Sequence, residues 1–201
     1  MWAFLATEAM LFGAFFLAYT VYRFTYPEAF TEASRHLAVP AESSWYLQSV
    51  FLGTLNTTVL LCSSFSMAVA VHAAQTGRRG RLIGMLLLTM MLGAVFLGIK
   101  GLEYYLKFLE GLIPGPLFHV PGELAGQAEL FFLLYFMGTG LHALHMVIGL
   151  GLLAAVALLA WRNRFSPDYL TPVELSGLYW HFVDVVWVFL FPLFYLVGLH
   201  A

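Results

Sequence analysis

Ionisable side chains recur at helical spacing inside long apolar stretches of this sequence. Three pairs have members three residues apart: Lys100 and Glu103, His142 and His145, and His181 and Asp184. This spacing places both members of a pair on one face of a helix. Glu8, His72 and Glu174 are single candidates of the same kind. Such groups at membrane depth can carry protons, bind a metal or join helices by hydrogen bonds.

A metal or haem site is the most demanding of these hypotheses. A di-iron bundle needs Glu-x-x-His on two helices, and no glutamate at membrane depth has a histidine three residues later. His142 and His145 point along one face, so a second helix would have to supply the other axial ligand of a haem. The one cysteine, Cys62, excludes a thiolate cage. We therefore predict that this chain binds no metal and no haem, and that its polar groups hydrogen-bond between helices.

The elements that must position these residues are apolar helices long enough to cross a bilayer. Of the 201 residues, 61% are hydrophobic and 10% are charged, whereas soluble domains carry about a quarter charged residues. Five apolar segments each supply the roughly 20 residues that a span needs: residues 2–24, 45–74, 82–109, 127–161 and 174–199. We predict an all-α fold, a polytopic transmembrane bundle of five helices forming a single domain over residues 1–201.

The connections between these helices predict an orientation. Arg78, Arg79 and Arg81 lie in the second connection, and Arg162 and Arg164 lie in the fourth. Basic residues concentrate on the cytoplasmic side, which predicts an N-terminus inside and a C-terminus outside. The first connection, residues 25–44, is acidic and is predicted to be a solvated loop. The net charge of −2 and the lack of a basic stripe argue against nucleic acid as a partner.

Two further expectations concern single residues. Glu8 is the only acidic residue of its helix, and we expect it to matter most for function. Its partner in the bundle is left open between His72, His142 and His181. Aromatic residues near the ends of spans are interpreted as an interfacial belt: Tyr19, Tyr22, Tyr104, Tyr105, Trp161 and Tyr195.

Motifs in all five segments resemble the cytochrome c oxidase subunit III family. Residues 179–187 read YWHFVDVVW, similar to WYWHFVDVVW of the family, and residues 139–149 read TGLHALHMVIG, similar to TGFHGLHVIIG. Glu174 stands seven residues before His181, as in the family. The segment TEAMLF at residues 7–12 resembles the Ser-Glu-x-x-Phe-Phe stretch that is buried in the membrane. Glu103 begins an EYY motif, and His72 stands where the family has a histidine.

The resemblance implies a subunit without catalytic residues, haem or copper of its own. The redox centres lie in subunits I and II, and subunit III packs on subunit I, binds phospholipid and supports proton uptake and stability during O2 reduction. The donor in this respiratory electron transport is cytochrome c or quinol, and a larger supercomplex is a further expected assembly. We expect a bacterial inner membrane. The first two helices of the longest members, which border the lipid cleft, have no counterpart in this sequence.

Two other functions stay open at this point. A subunit III-like accessory protein of a nitric oxide reductase shares the motif around His181 and begins at the helix that carries Glu8. A stand-alone transporter or proton channel would also use carboxylates and histidines at membrane depth. The sequence has no inverted repeat and no broken helix pair, which argues against the transporter.

Overall fold

The computed structural model describes residues 2–38, 46–115, 118, 125–162 and 170–196. Its helices are α1 Trp2–Thr25, α2 Pro27–Ala38, α3 Tyr46–Gln75, α4 Arg79–Leu109, α5 Ala125–Trp161 and α6 Thr171–Phe191, and a π-helical turn follows at Pro192–Leu196. All but α2 contain a segment long and apolar enough to cross a membrane, as the sequence predicts. The described residues contain no strand.

The helix ends agree with the predicted segments to within about three residues, except at the end of α6. There the α-helix stops at Phe191 instead of continuing to residue 199. Pro192 has no backbone N–H to donate to the preceding turn, and the chain continues as the π-helical turn. Residues 197–199 lie outside the described residues. Pro172, in contrast, stands in the first turn of α6, where the missing donor costs nothing.

The buried residues of α4 form a heptad seam against its neighbours. They are separated alternately by four and three residues: Leu82, Leu86, Thr89, Gly93, Phe96, Lys100, Glu103 and Lys107. This is the spacing of two helices packed at a small angle. The partner across much of this seam is α3, which Ser66 joins to Thr89 by a 2.7 Å hydrogen bond between hydroxyls. Gly77, at φ 68°, makes the tight connection between the two helices.

The centre of the bundle is α6, whose two tryptophans are almost fully buried. Trp180 is 0% exposed, and a Cβ on Gly93 of α4 would lie 2.7 Å from its ring. The indole N–H of Trp180 donates to Ser63 Oγ at 2.9 Å, and that of Trp187 donates to Thr57 Oγ1 at 3.1 Å. Hydrogen bonds of this type satisfy the indole donors in an apolar interior. They fix the rotation of α6, and therefore the directions of His181 and Asp184.

The prediction of a solvated loop at residues 25–44 is wrong for Pro27–Ala38, which forms α2. Proline in the first turn and Glu28 beside it both favour a helix start. Phe30, Ala33 and Leu37, three and four residues apart, are buried. The ring of Phe30 lies 5.5 Å from that of Phe131 in α5. Twelve residues are too few to cross a bilayer, so this helix packs across the ends of the spans instead.

The first helix contributes only a narrow stripe to the core. Phe12, Phe15 and Tyr19 are its buried residues, again three and four apart. Phe15 packs so closely on α5 that a Cβ at Gly138 would overlap its ring. Most other side chains of α1 are exposed, including Met10 and Leu17. Within this chain, α1 therefore presents a wide apolar face that lipid or another protein must cover.

Candidate functional site

Glu8 of α1 and His145 of α5 form a hydrogen-bonded pair between two spans. Glu8 Oε2 lies 2.9 Å from His145 Nε2. The other ring nitrogen, Nδ1, lies 2.8 Å from the carbonyl oxygen of Leu141. Because a carbonyl oxygen can only accept, Nδ1 must carry a hydrogen. The hydrogen bond to Glu8 therefore contains one further proton, held by the carboxyl group or by an imidazolium ring.

The Glu8–His145 pair lies near the surface of the bundle, but neighbouring side chains cover most of it. The side chains of Glu8 and His145 are 15% and 8% exposed. The ring of Phe12 packs edge-on against His145 at 5.5 Å. The hydroxyl of Tyr179 in α6 donates to the His145 carbonyl at 3.0 Å. The pair and its neighbours thus join α1, α5 and α6.

A second group, the Lys100 cluster, consists of Lys100, Glu103, Tyr135 and Tyr195. Lys100 Nζ donates to Glu103 Oε2 at 3.0 Å, to Tyr195 at 2.9 Å and to Tyr135 at 3.3 Å. The hydroxyls of Tyr135, at 2.7 Å, and Tyr195 both donate to Glu103 Oε1. Every charge in this cluster is paired although Lys100 and Glu103 are only 5% and 4% exposed.

The Lys100 cluster is suited to joining helices more than to moving protons. The ammonium group lies 4.9 Å from the ring of Trp187, a favourable cation–π geometry. Its members come from α4, α5 and the π-helical turn, so the cluster holds these three elements together. The interpretation as interfacial residues is wrong for Tyr195 and for Tyr19, since each is 1% exposed. The π-helical turn places the Tyr195 hydroxyl inside the bundle.

His142 and Asp184 are buried in a different way. His142 is 1% and Asp184 3% exposed. Neither ring nitrogen of His142 has a hydrogen-bond partner among the described residues, and the Ser64 side chain lies beside the Asp184 carboxyl group. The ring of His142 lies 5.6 Å from that of Phe96 and 5.1 Å from that of Trp187. The two histidines of the 142/145 pair therefore have different surroundings, one aromatic and one facing a carboxyl group.

The remaining candidates lie apart from Glu8. His181 Nδ1 is 2.6 Å from Ser64 Oγ. Glu174, which is exposed, accepts from Gln75 Nε2 at 3.1 Å where α3 ends and α6 begins. His72, in the last turn of α3, is also exposed. The structure therefore brings together Glu8 with His145 and Lys100 with Glu103. The partner of Glu8 is none of the three histidines left open by the sequence.

A metal ion needs several donor side chains grouped around one point. Across residues 2–38, 46–115, 118, 125–162 and 170–196, no three His, Cys, Asp or Glu side chains are grouped so that they could hold one ion. The Glu8–His145 pair supplies two ligating groups at most. The arrangement is chemically suited to sharing and exchanging a proton between a carboxyl and an imidazole.

The comparison with known proteins decides the family. The model of the family described as cytochrome c oxidase subunit III matches residues 1–199. The chain belongs to the cytochrome c oxidase subunit III family. It is 37% identical to cytochrome c oxidase subunit 3 of Gadus morhua over 144 residues, which cover 72% of this chain and 49% of the relative. It is 30% identical to that of Arabidopsis thaliana over 201 residues, covering 97% of this chain and 66% of the relative.

Membership in the subunit III family confirms the resemblance seen in the motifs around Glu8, His145 and His181. The chain spans about half to two thirds of the length of these two relatives.

Proposed function

We propose that this chain is the non-redox subunit III of a haem–copper oxidase in a bacterial inner membrane. In this proposal it packs on subunit I of a complex that also contains subunit II, with its N-terminus in the cytoplasm. The complex reduces O2, and the chain supports proton uptake and stability during turnover. The family match supports the assembly, and the arginine-rich connections support the orientation.

The observation that carries the proposed role is the Glu8–His145 pair. It holds one exchangeable proton on α1, the helix that contributes least to the core of this bundle. A partner subunit that covers the apolar face of α1 would lie beside the pair. A carboxyl group hydrogen-bonded to an imidazole can pass a proton between the two groups. We propose that the pair buffers protons close to the uptake site of subunit I.

Removal of the chain tests this role. An oxidase complex prepared without the chain is expected to turn over more slowly than the complete complex at high pH and to inactivate faster with each turnover. The expected physical cause is slower proton delivery, which prolongs reactive intermediates in subunit I. Oxygen consumption, recorded until activity is lost, measures both rates. An inactivation rate that is the same with and without the chain would overturn the proposal.

The proposal also assigns the haem and copper to the partner subunits. The isolated chain is expected to have no Soret absorption band and no stoichiometric iron or copper. The reason is that His142 is buried against the rings of Phe96 and Trp187 at 1% exposure, and both ring nitrogens of His145 lie within hydrogen-bond distance of other groups. Neither histidine therefore offers an open axial ligand. Absorption spectroscopy and metal analysis of the purified chain check this. A haem to protein ratio near one would contradict it.

A further inference from the structure

His181 brings an unpaired ring nitrogen to the outer surface between α3 and α6. Its Nδ1 lies 2.6 Å from Ser64 Oγ, and the Ser64 side chain lies beside the carboxyl group of Asp184. These contacts hold one edge of the ring against α3. Nε2, on the other edge, has no hydrogen-bond partner among the described residues, and the side chain is partly exposed. The ring can therefore form one more hydrogen bond, with a group outside this chain.

This nitrogen lies at the middle of the membrane. The apolar span of α6 is Thr171–Tyr195 and that of α3 is Phe51–Gln75, so the central residues are Val183 and Ser63. His181 lies two residues from its centre, which is about 3 Å along the helix axis. The head groups and water begin about 15 Å from the middle of a bilayer. An imidazole ring is too short to reach them.

The surface around His181 is otherwise apolar. Leu178 and Val185, one turn away on α6, are 41% and 52% exposed, and Leu61, one turn from Ser64 on α3, is 55% exposed. Ala68, one turn further along α3, is also exposed. We define the α3–α6 face as these four apolar residues together with the two polar ones: Leu61, Ser64, Ala68, Leu178, His181 and Val185.

An apolar face with one polar atom at its centre favours a protein partner over lipid. Acyl chains have no group that can form a hydrogen bond, and a polar atom left against hydrocarbon is costly. Ionisable side chains within spans therefore face the interior of a bundle and pair there. Because Nε2 of His181 has no such partner among the described residues of this chain, a larger assembly must supply the partner.

We propose that the α3–α6 face binds a transmembrane helix of another protein chain, which places a hydroxyl, amide or protonated carboxyl group against His181 Nε2. Each of these groups can donate or accept, so each fits either tautomer of the ring. The face lies on the α3 side of α6. The α1 helix, which the proposed function places against subunit I, packs on the other side, through Phe12 and Phe182. The proposal needs a partner chain but not the role in proton uptake.

A photo-reactive amino acid at Val185 tests what covers the face. The complex is irradiated in the membrane in which it assembles, and the cross-linked products are identified by mass spectrometry. We expect a link to a transmembrane segment of another chain. That segment should carry a hydroxyl, amide or carboxyl side chain within one helical turn of the linked residue.

Three variants test the polar contact itself. His181→Leu removes the nitrogen, whereas His181→Gln keeps an amide that can form the hydrogen bond. His72→Leu is the control, because it removes an exposed imidazole from the last turn of α3. Native mass spectrometry of the complex measures how strongly the linked chain is retained. His181→Leu should retain it about three- to tenfold more weakly than wild type, and the other two variants should resemble wild type.

Several results would overturn the proposal. Links from Val185 chiefly to lipid would mean that the bilayer covers the face, and links to a second copy of this chain would make it a contact between copies. A linked segment without a polar side chain would exclude the proposed contact. Equal retention by His181→Leu and His72→Leu would do the same. Equal weakening by His181→Leu and His181→Gln would mean that the shape of the ring is needed and its nitrogen is not.

Discussion

Replacement of Lys100 by methionine is expected to destabilise this chain by about 3–5 kcal/mol, because it leaves a buried carboxylate without its cation. Glu103 would keep hydrogen bonds from Tyr135 and Tyr195 but would lose its counter-ion at a position that is 4% exposed. The cluster joins α4, α5 and the π-helical turn, so the contacts between these three elements should loosen first. The temperature at which this chain leaves the purified complex measures the effect.

Two further variants make this prediction specific. Lys107→Met removes a lysine whose partner, Glu110, is 32% exposed, and water can solvate that carboxylate, so a much smaller loss is expected. The double variant Lys100→Met/Glu103→Leu removes both charges and should recover most of the stability. A single Lys100→Met variant as stable as wild type, or a double variant less stable than the single one, would contradict the account of this cluster.

Glu8→Gln is expected to preserve assembly while changing the pH dependence of the oxidase. His145 Nδ1 donates to the Leu141 carbonyl, so Nε2 can accept a hydrogen bond from the amide of glutamine. The variant thus keeps the contact between α1 and α5 but loses the exchangeable proton. If the pair buffers proton uptake, activity should fall more steeply with rising pH, and inactivation per turnover should be several-fold faster. Oxygen consumption across a pH series measures both.

Glu129→Gln is the matched control for this experiment. Glu129 accepts a 2.8 Å hydrogen bond from the backbone N–H of Gly115, and glutamine can do the same through its carbonyl oxygen. This variant should keep the wild-type pH profile. An unchanged pH profile and an unchanged inactivation rate in Glu8→Gln would mean that the pair is only a hydrogen bond between helices, with no role in proton uptake. The same change in both variants would show that the effect does not depend on His145.

The spans and their polar pairs could be predicted from the sequence because both depend on local periodicity. In a membrane, a run of about 20 apolar residues can form few structures other than a helix. A spacing of three residues then makes two side chains neighbours on one face of that helix. The partner of Glu8 could not be predicted, since it depends on the rotation of α1 against α5. That rotation is set by close approaches such as Phe15 to Gly138, which a single sequence does not reveal.

Only part of the Lys100 cluster can be predicted from the sequence, because local periodicity fixes neighbours on one helix but not contacts between helices. Lys100 and Glu103 are neighbours on α4, whereas Tyr135 and Tyr195 arrive from other elements. Tyr195 depends on a π-helical turn after Pro192, a local irregularity that hydrophobic periodicity does not encode. The helix α2 did have a signal, in the spacing of Phe30, Ala33 and Leu37. The short length of this segment and its acidic residues favoured the prediction of a loop instead.

The most direct test of the central claim is the composition of the complex that this chain forms in its own membrane. An affinity tag on the chain, gentle solubilisation and cross-linking mass spectrometry would name the partners and the helices that contact them. The proposed function predicts the haem- and copper-bearing subunits I and II of an oxidase, with cross-links from exposed positions of α1 to subunit I. Recovery of a nitric oxide reductase, or of an active chain without partners, would contradict it.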